Sequence, residues 1–260
     1  MNFETTVDLS YNEYGAGAPV LIIHGMLGSG ENWTGIAQEL SGAYRVLTPD
    51  MRNHGKSPRA EYMDFPVMAD DIASLVQRLE LGPIRVIGHS MGAKIALRLA
   101  VDHPTLVDRL VLIDASAREY GPRHVQLLQT LLRSRPENFS KRSELESKLS
   151  ETITNPLVRA FLLKGIVRQE DGSLAWQTNV PAIAENYRNL GARVPLPAER
   201  ETRALILRGE HSDYVSDQDI LDLRRAFPNL QSQTIAGAGH WVHFDARKDF
   251  LRFVRDFLNE

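Results

Sequence analysis

Six short aliphatic runs recur along the chain, at residues 20–23, 44–47, 84–87, 110–113, 204–207 and, more weakly, 233–235. None alternates strictly with polar residues, and an unbroken apolar run predicts a strand covered on both faces, as in a parallel sheet. Between the runs the apolar period changes. Ile72, Leu75, Val76 and Leu79 fall on one helix face, as do Ile95 and Leu99 with the alanines around them. Phe250, Leu251, Val254 and Phe257 repeat that spacing in a closing helix. Strand and helix alternating over most of the chain predict a doubly wound α/β domain.

The alternation stops between about residues 120 and 197. Val125, Leu128 and Leu132, then Leu157, Phe161 and Leu162, then the segment "WQTNVPAIAENY" read as helices without strands. The stretch is too long for a loop. It is expected to be a helical cap, 120–197, inserted into an α/β core made of 1–119 and 198–260, with "VPLP" at 194–197 as its exit. No internal repeat is present.

Composition narrows the classes of function. A chain of 260 residues, 43% hydrophobic and 24% charged, is ordinary for a globular protein and long enough to bury a substantial core. A formal charge of −3 gives no electrostatic reason to expect nucleic acid or an anionic membrane as partner. No apolar run approaches the length that spans a bilayer. The first residues lack the basic start and apolar core of a secretory signal, so a cytoplasmic location is expected. With no cysteine, the chain can have neither disulfides nor thiolate metal sites nor a cysteine nucleophile.

The candidate chemistry begins at "GHSMG", residues 88–92, which fits G-x-S-x-G. Chance supplies roughly 0.1 such match in a chain this long. This one follows a strand run and opens a helical pattern, the setting that a nucleophile elbow requires, with Ser90 as nucleophile. The alternative is a strand-to-helix turn with a capping serine. Upstream, "HGMLGS" at 24–29 follows the 20–23 run. A loop there can aim backbone N–H groups at a developing oxyanion, and the donors are assigned to Met26 and Met91.

A serine nucleophile needs a base, and His240 in "IAGAGHWVH" follows the last strand run and precedes the closing helix. His24, His54 and His89 read as structural, and His103 as a helix end before Pro104. His243 could pair with His240 on a metal, but no third ligand follows at a recognised spacing, so no metal is expected, nor any cofactor. Two aspartates compete for the acid. Asp114 ends the run in "LVLIDAS", and Asp213 follows the next in "LILRGEHSDYVS". Either stands at a carboxyl strand end, where it can bond the far nitrogen of His240, and spacing does not separate them.

Through "LIIHGMLGS", "DMRNHGKSPR", "IGHSMGAK", "LIDAS", "FLLKG", "NVPAI" and "IAGAGHWVHFD", the chain resembles the α/β-hydrolases. Within them it is similar to the YbfF-type bacterial esterases and their mitochondrial relatives. The resemblance implies an eight-stranded, mostly parallel sheet with helices on both faces and a helical cap over the site. It implies hydrolysis of carboxylic ester or thioester bonds in small-molecule substrates of short to medium acyl length, acyl-CoA among them. It also implies Asp114 as the acid, because in that subgroup the triad aspartate ends the "LID" strand. The subgroup often lacks a carboxylate at the place of Asp213, which this chain carries as the wider superfamily does. Asp50 and Arg52 become scaffolding beside the oxyanion strand. Tyr120, Arg123, His124 and Trp176 in the cap, and Trp241 after the base, are candidate pocket residues, with Arg123 and His124 facing an anionic acyl carrier. Two other functions suit the same residues: cofactor-free perhydrolysis or carbon–carbon bond cleavage, and ligand sensing with slow turnover.

Overall fold

All six aliphatic runs become strands of one sheet, each two or three residues longer than its run. The computed structural model describes residues 6–260; the first five residues of the expected core lie outside it. In chain order the first half contains β1 (Tyr11–Tyr14), β2 (Ala18–Ile23), α1 (Thr34–Leu40), β3 (Tyr44–Pro49), α2 (Phe65–Arg78), β4 (Ile84–His89), α3 (Met91–Asp102) and β5 (Val107–Ile113). A long excursion follows, with α4 (Val125–Ser134), α5 (Arg142–Ser150), α6 (Pro156–Lys164), β6 (Ile166–Arg168), β7 (Leu174–Trp176), α7 (Val180–Glu185) and α8 (Tyr187–Gly191). The chain closes with β8 (Arg203–Gly209), α9 (Asp217–Ala226), β9 (Gln231–Ile235), α10 (Val242–Asp245) and α11 (Arg247–Asn259).

The strands lie in the order β1-β3-β2-β4-β5-β8-β9, seven among the described residues where eight were expected. All pair in parallel except β1, which runs antiparallel to β3 at the edge. Successive side chains alternate between two packed layers. Val20, Ile22, Ile87, Val111, Ile113, Leu205 and Leu207 meet Trp33, α1 and α11 on one face. Leu21, Ile23, Val86, Leu110, Leu112 and Ile206 meet α2, α3 and α9 on the other. Both faces are dry, which is why the central strands carry no polar alternation.

The excursion between β5 and β8 corrects one expectation. It is not helical throughout, because β6 and β7 form an antiparallel hairpin with Ile166 opposite Trp176. Strands of three residues are too short to show a period. Its turn is held by Asp171, whose Oδ1 accepts from the Ser173 amide at 2.9 Å and the Ser173 hydroxyl at 2.7 Å. Departure and return are zipped together: the Val194 amide donates to the Ala117 carbonyl at 2.8 Å and the Tyr120 amide to the Gly191 carbonyl at 2.9 Å. The buried Lys94 of α3 adds a bolt. Its Nζ donates to the Arg118 carbonyl at 2.6 Å, on the departing side, and to the Ala192 carbonyl on the returning side. Among the described residues no helix is long and apolar enough to cross a membrane.

Asp50 and Arg52 take the scaffolding positions expected of them. Asp50 Oδ1 accepts from the Gly30 amide at 2.7 Å and Oδ2 from the Lys56 amide at 2.8 Å. Arg52 forms a two-pronged pair with Asp71 of α2, Nε to Oδ2 at 2.7 Å and Nη2 to Oδ1 at 2.8 Å, both side chains almost wholly buried. Burial raises the Asp71 pKa, opposed by the guanidinium. Arg52→Ala therefore leaves a buried carboxylate uncompensated, and denaturant unfolding is expected to show a loss of about 3–5 kcal/mol. The double variant Arg52→Met/Asp71→Leu is expected to recover most of it; a double variant as unstable as the single one would contradict this reading.

Candidate active site

β2, β4, β5 and β8 end on the same edge of the sheet, and the loops beyond them build the site. At the end of β4 the chain reverses into α3 through Ser90, whose backbone sits at φ 54° and ψ −116°. A residue with a side chain takes that conformation only under constraint. The constraint is packing. A Cβ on Gly88 would lie 2.2 Å from the Gly92 carbonyl oxygen, and one on Gly92 would lie 2.2 Å from that of Ile23. Only glycines let strand, turn and helix approach so closely. The Ser90 side chain makes no capping bond to the helix it precedes, which removes the capping alternative.

Instead, the hydroxyl meets His240. His240 Nε2 stands 3.0 Å from Ser90 Oγ, and His240 Nδ1 stands 2.7 Å from Asp114 Oδ2. Asp114 is fully buried, and its remaining capacity is used: Oδ1 accepts from the Gly209 amide at 3.1 Å and Oδ2 from the Ser212 hydroxyl. A carboxylate held by these donors fixes the imidazole tautomer that leaves Nε2 free to take a proton.

Asp213 is not part of this line. Its side chain is 77% exposed and pairs with Arg123, whose guanidinium donates to it and pulls its pKa below the usual carboxylate range. The physical reason is position. Asp114 directly follows β5 and its amide still bonds the Leu207 carbonyl at 2.8 Å, so the sheet carries it to the histidine, whereas Asp213 lies farther out on the loop after β8.

The 24–29 loop is held by two buried histidines. His24 Nε2 accepts from the Met51 amide at 3.0 Å and His54 Nε2 accepts from the Leu27 amide at 3.1 Å. Burial lowers their pKa values to about 4 and about 3, so both rings are neutral and can accept. His89 is structural as well, with Nε2 donating to the His240 carbonyl at 2.9 Å. Met26 on this loop and Met91, the first residue of α3, line one pocket with Ser90. The first amides of a helix have no intrahelical acceptor, which suits Met91 to an anionic oxygen.

Tyr120, Arg123 and His124 line the same pocket; Trp176 and Trp241 do not. Trp176 lies in β7 with its indole N–H donating to the Ser134 hydroxyl at 3.1 Å, and the Trp241 ring packs 5.4 Å from that of Phe161. Both aromatics were drawn into local packing. The pocket also contains Lys94, Tyr187, Leu190 and Tyr214, which sequence reading missed. A signal existed for Lys94, one helical turn beyond Ser90. Burial lowers its pKa to about 7.

The sequence pattern of the family described as the alpha/beta hydrolase fold matches residues 18–247, and the chain belongs to that family. It is 35% identical over 266 residues to the sn-1-specific diacylglycerol lipase ABHD11 of Xenopus tropicalis, covering 97% of this chain and 82% of that protein. It is 33% identical over 244 residues to esterase YbfF of Escherichia coli (strain K12), covering 94% of each. A solved structure of a marine microorganism esterase superposes with a TM-score of 0.94 at 35% identity, covering 97% of this chain and 100% of that one.

The two aspartates make contrasting predictions. Asp114→Asn is expected to lower kcat by up to about 10⁴, and Asp213→Asn by less than about threefold, in steady-state ester hydrolysis. Equal losses would contradict the assignment of the acid.

Proposed function

We propose that this chain is a serine hydrolase that cleaves carboxylic ester or thioester bonds of small acyl substrates through an acyl-enzyme on Ser90. The observation that carries the reading is the continuous line Ser90 Oγ–His240–Asp114, with contacts of 3.0 and 2.7 Å, beside a pocket that Met26 and Met91 line. His240 Nε2 takes the hydroxyl proton as Oγ attacks the carbonyl carbon. The carbonyl oxygen becomes an oxyanion between the Met26 and Met91 amides. His240 then gives its proton to the departing alcohol or thiol, leaving the acyl group on Ser90. Water enters, loses a proton to the same nitrogen and attacks the acyl carbon; the acyl–Oγ bond breaks, His240 returns the proton to Ser90 Oγ, and the acid leaves. Throughout, Asp114 faces Nδ1–H and stabilises the imidazolium.

Residues 120–197 serve as the cap and roof the pocket through Tyr120, Arg123, His124, Tyr187 and Leu190. Met26, Met91, Ala115 and Leu190 give the pocket beside Ser90 apolar walls that suit a short to medium acyl group. Thioesters of an anionic carrier, acyl-CoA among them, belong to the same class, with the Arg123 guanidinium on the lining already paired to Asp213. Ser90→Ala is expected to lower turnover of p-nitrophenyl butyrate and of short acyl thioesters by about 10⁴-fold or more, with an unchanged unfolding temperature. Activity persisting in Ser90→Ala would rule out the serine route.

A further inference from the structure

His240 is held end to end by its bonds to Asp114 and Ser90. Two bonds in the plane of the ring, one at each nitrogen, leave it free to tip about the line that joins them. The tip is set by whatever meets the ring's faces. Tyr214 stacks on His240 nearly parallel, with centroids 3.9 Å apart and planes 20° apart. His89 stands farther off, at 4.8 Å and tilted 44°.

Tyr214 is itself fixed from several sides. Its amide donates to the Ser212 hydroxyl at 3.3 Å, the same hydroxyl that donates to Asp114. Its carbonyl accepts from the Tyr120 hydroxyl at 2.8 Å, and its own hydroxyl lies 3.3 Å from His124 Nε2. The Arg123 guanidinium also sits over the ring, 4.6 Å from its centroid. Tyr120, Arg123 and His124 all lie in the first residues of the cap, ahead of α4.

We propose that Tyr214 is a positioning residue for His240, its ring face fixing the tilt of the base and receiving the imidazolium, while its polar contacts tie that face to the cap. The proposal rests on the serine-hydrolase reading above. An aromatic face favours a cation laid against it, so the contact strengthens each time His240 is protonated. Two cations on one ring would oppose each other. The carboxylate of Asp213, next to Tyr214 in the chain, pairs with the Arg123 guanidinium and offsets its charge, which gives that second aspartate a place in the site without contact with the base.

The test compares Tyr214→Phe, Tyr214→Leu and Tyr214→Met, with kcat and KM for p-nitrophenyl butyrate and thermal unfolding measured on each, and Ser90→Ala alongside. Phe keeps the ring and is expected to hold kcat within about threefold of wild type. Leu and Met fill the space without a ring and are expected to lower kcat about tenfold while KM moves less than about threefold. Wild-type kcat in either Leu or Met, a loss in Phe as large as in Leu, or an effect confined to KM overturns the proposal. An active Ser90→Ala protein would instead contradict the serine route, so the two failures read out separately.

Discussion

The site depends on one strained residue. Ser90 sits at φ 54°, and nothing in an isolated chain would hold it there. It is held because its amide donates to the Ile113 carbonyl of β5 at 3.0 Å, its carbonyl accepts from the Ala93 amide at 3.0 Å, and the flanking glycines leave room for no other path. The strain is thus borne by the sheet and by α3, two of the most deeply buried parts of the molecule. Nor is it solitary. Leu27 after β2 and Asp114 after β5 also have positive φ, at 64° and 49°. Three neighbouring strands turn sharply at the same edge, and each turn presents a part of the site: the Met26 loop, Ser90 and Asp114, which the proposed mechanism uses as oxyanion loop, nucleophile and acid.

The proposed base comes from elsewhere and is therefore the part that needs the most support. His240 lies on the loop between β9 and α10, where the Gly239 amide is tied to Asp245 Oδ2 at 2.9 Å. Its ring belongs to a column of rings running from Trp33 through His243 and His89 to His240 and Tyr214. Burial lowers the pKa of His243 to about 3 and that of His89 well below the usual histidine range, so the column beneath the base is uncharged. A neutral stack can carry the imidazole without competing for its proton.

Much of this was legible in the sequence, for identifiable reasons. Central strands buried on both faces must be apolar throughout, so their positions stand out, and an elbow needs glycines on both sides of its serine. β1, "YNEY", was not legible because an edge strand is half-exposed and has no apolar period. The hairpin at 166–176 left only its Asp171–Gly172 turn as a signal. Asp114 and Asp213 looked alike because both follow strands. What separates them is a sheet hydrogen bond at Asp114 and an ion pair at Asp213, and neither is encoded by spacing. Tyr214 went unseen because its role arises from contacts with residues far along the chain; Lys94 had a signal in its place one turn beyond Ser90, but not for the distant carbonyls it holds.

The central claim is that Ser90, activated by His240 and Asp114, becomes acylated. The most direct measurement is rapid quenching with a p-nitrophenyl ester, followed by intact-mass and peptide analysis. The account predicts one acyl group per chain, located on Ser90 and absent from His240→Ala under the same conditions. An acyl group on another residue, or full turnover with no covalent intermediate on Ser90 even when deacylation is slowed, would contradict it.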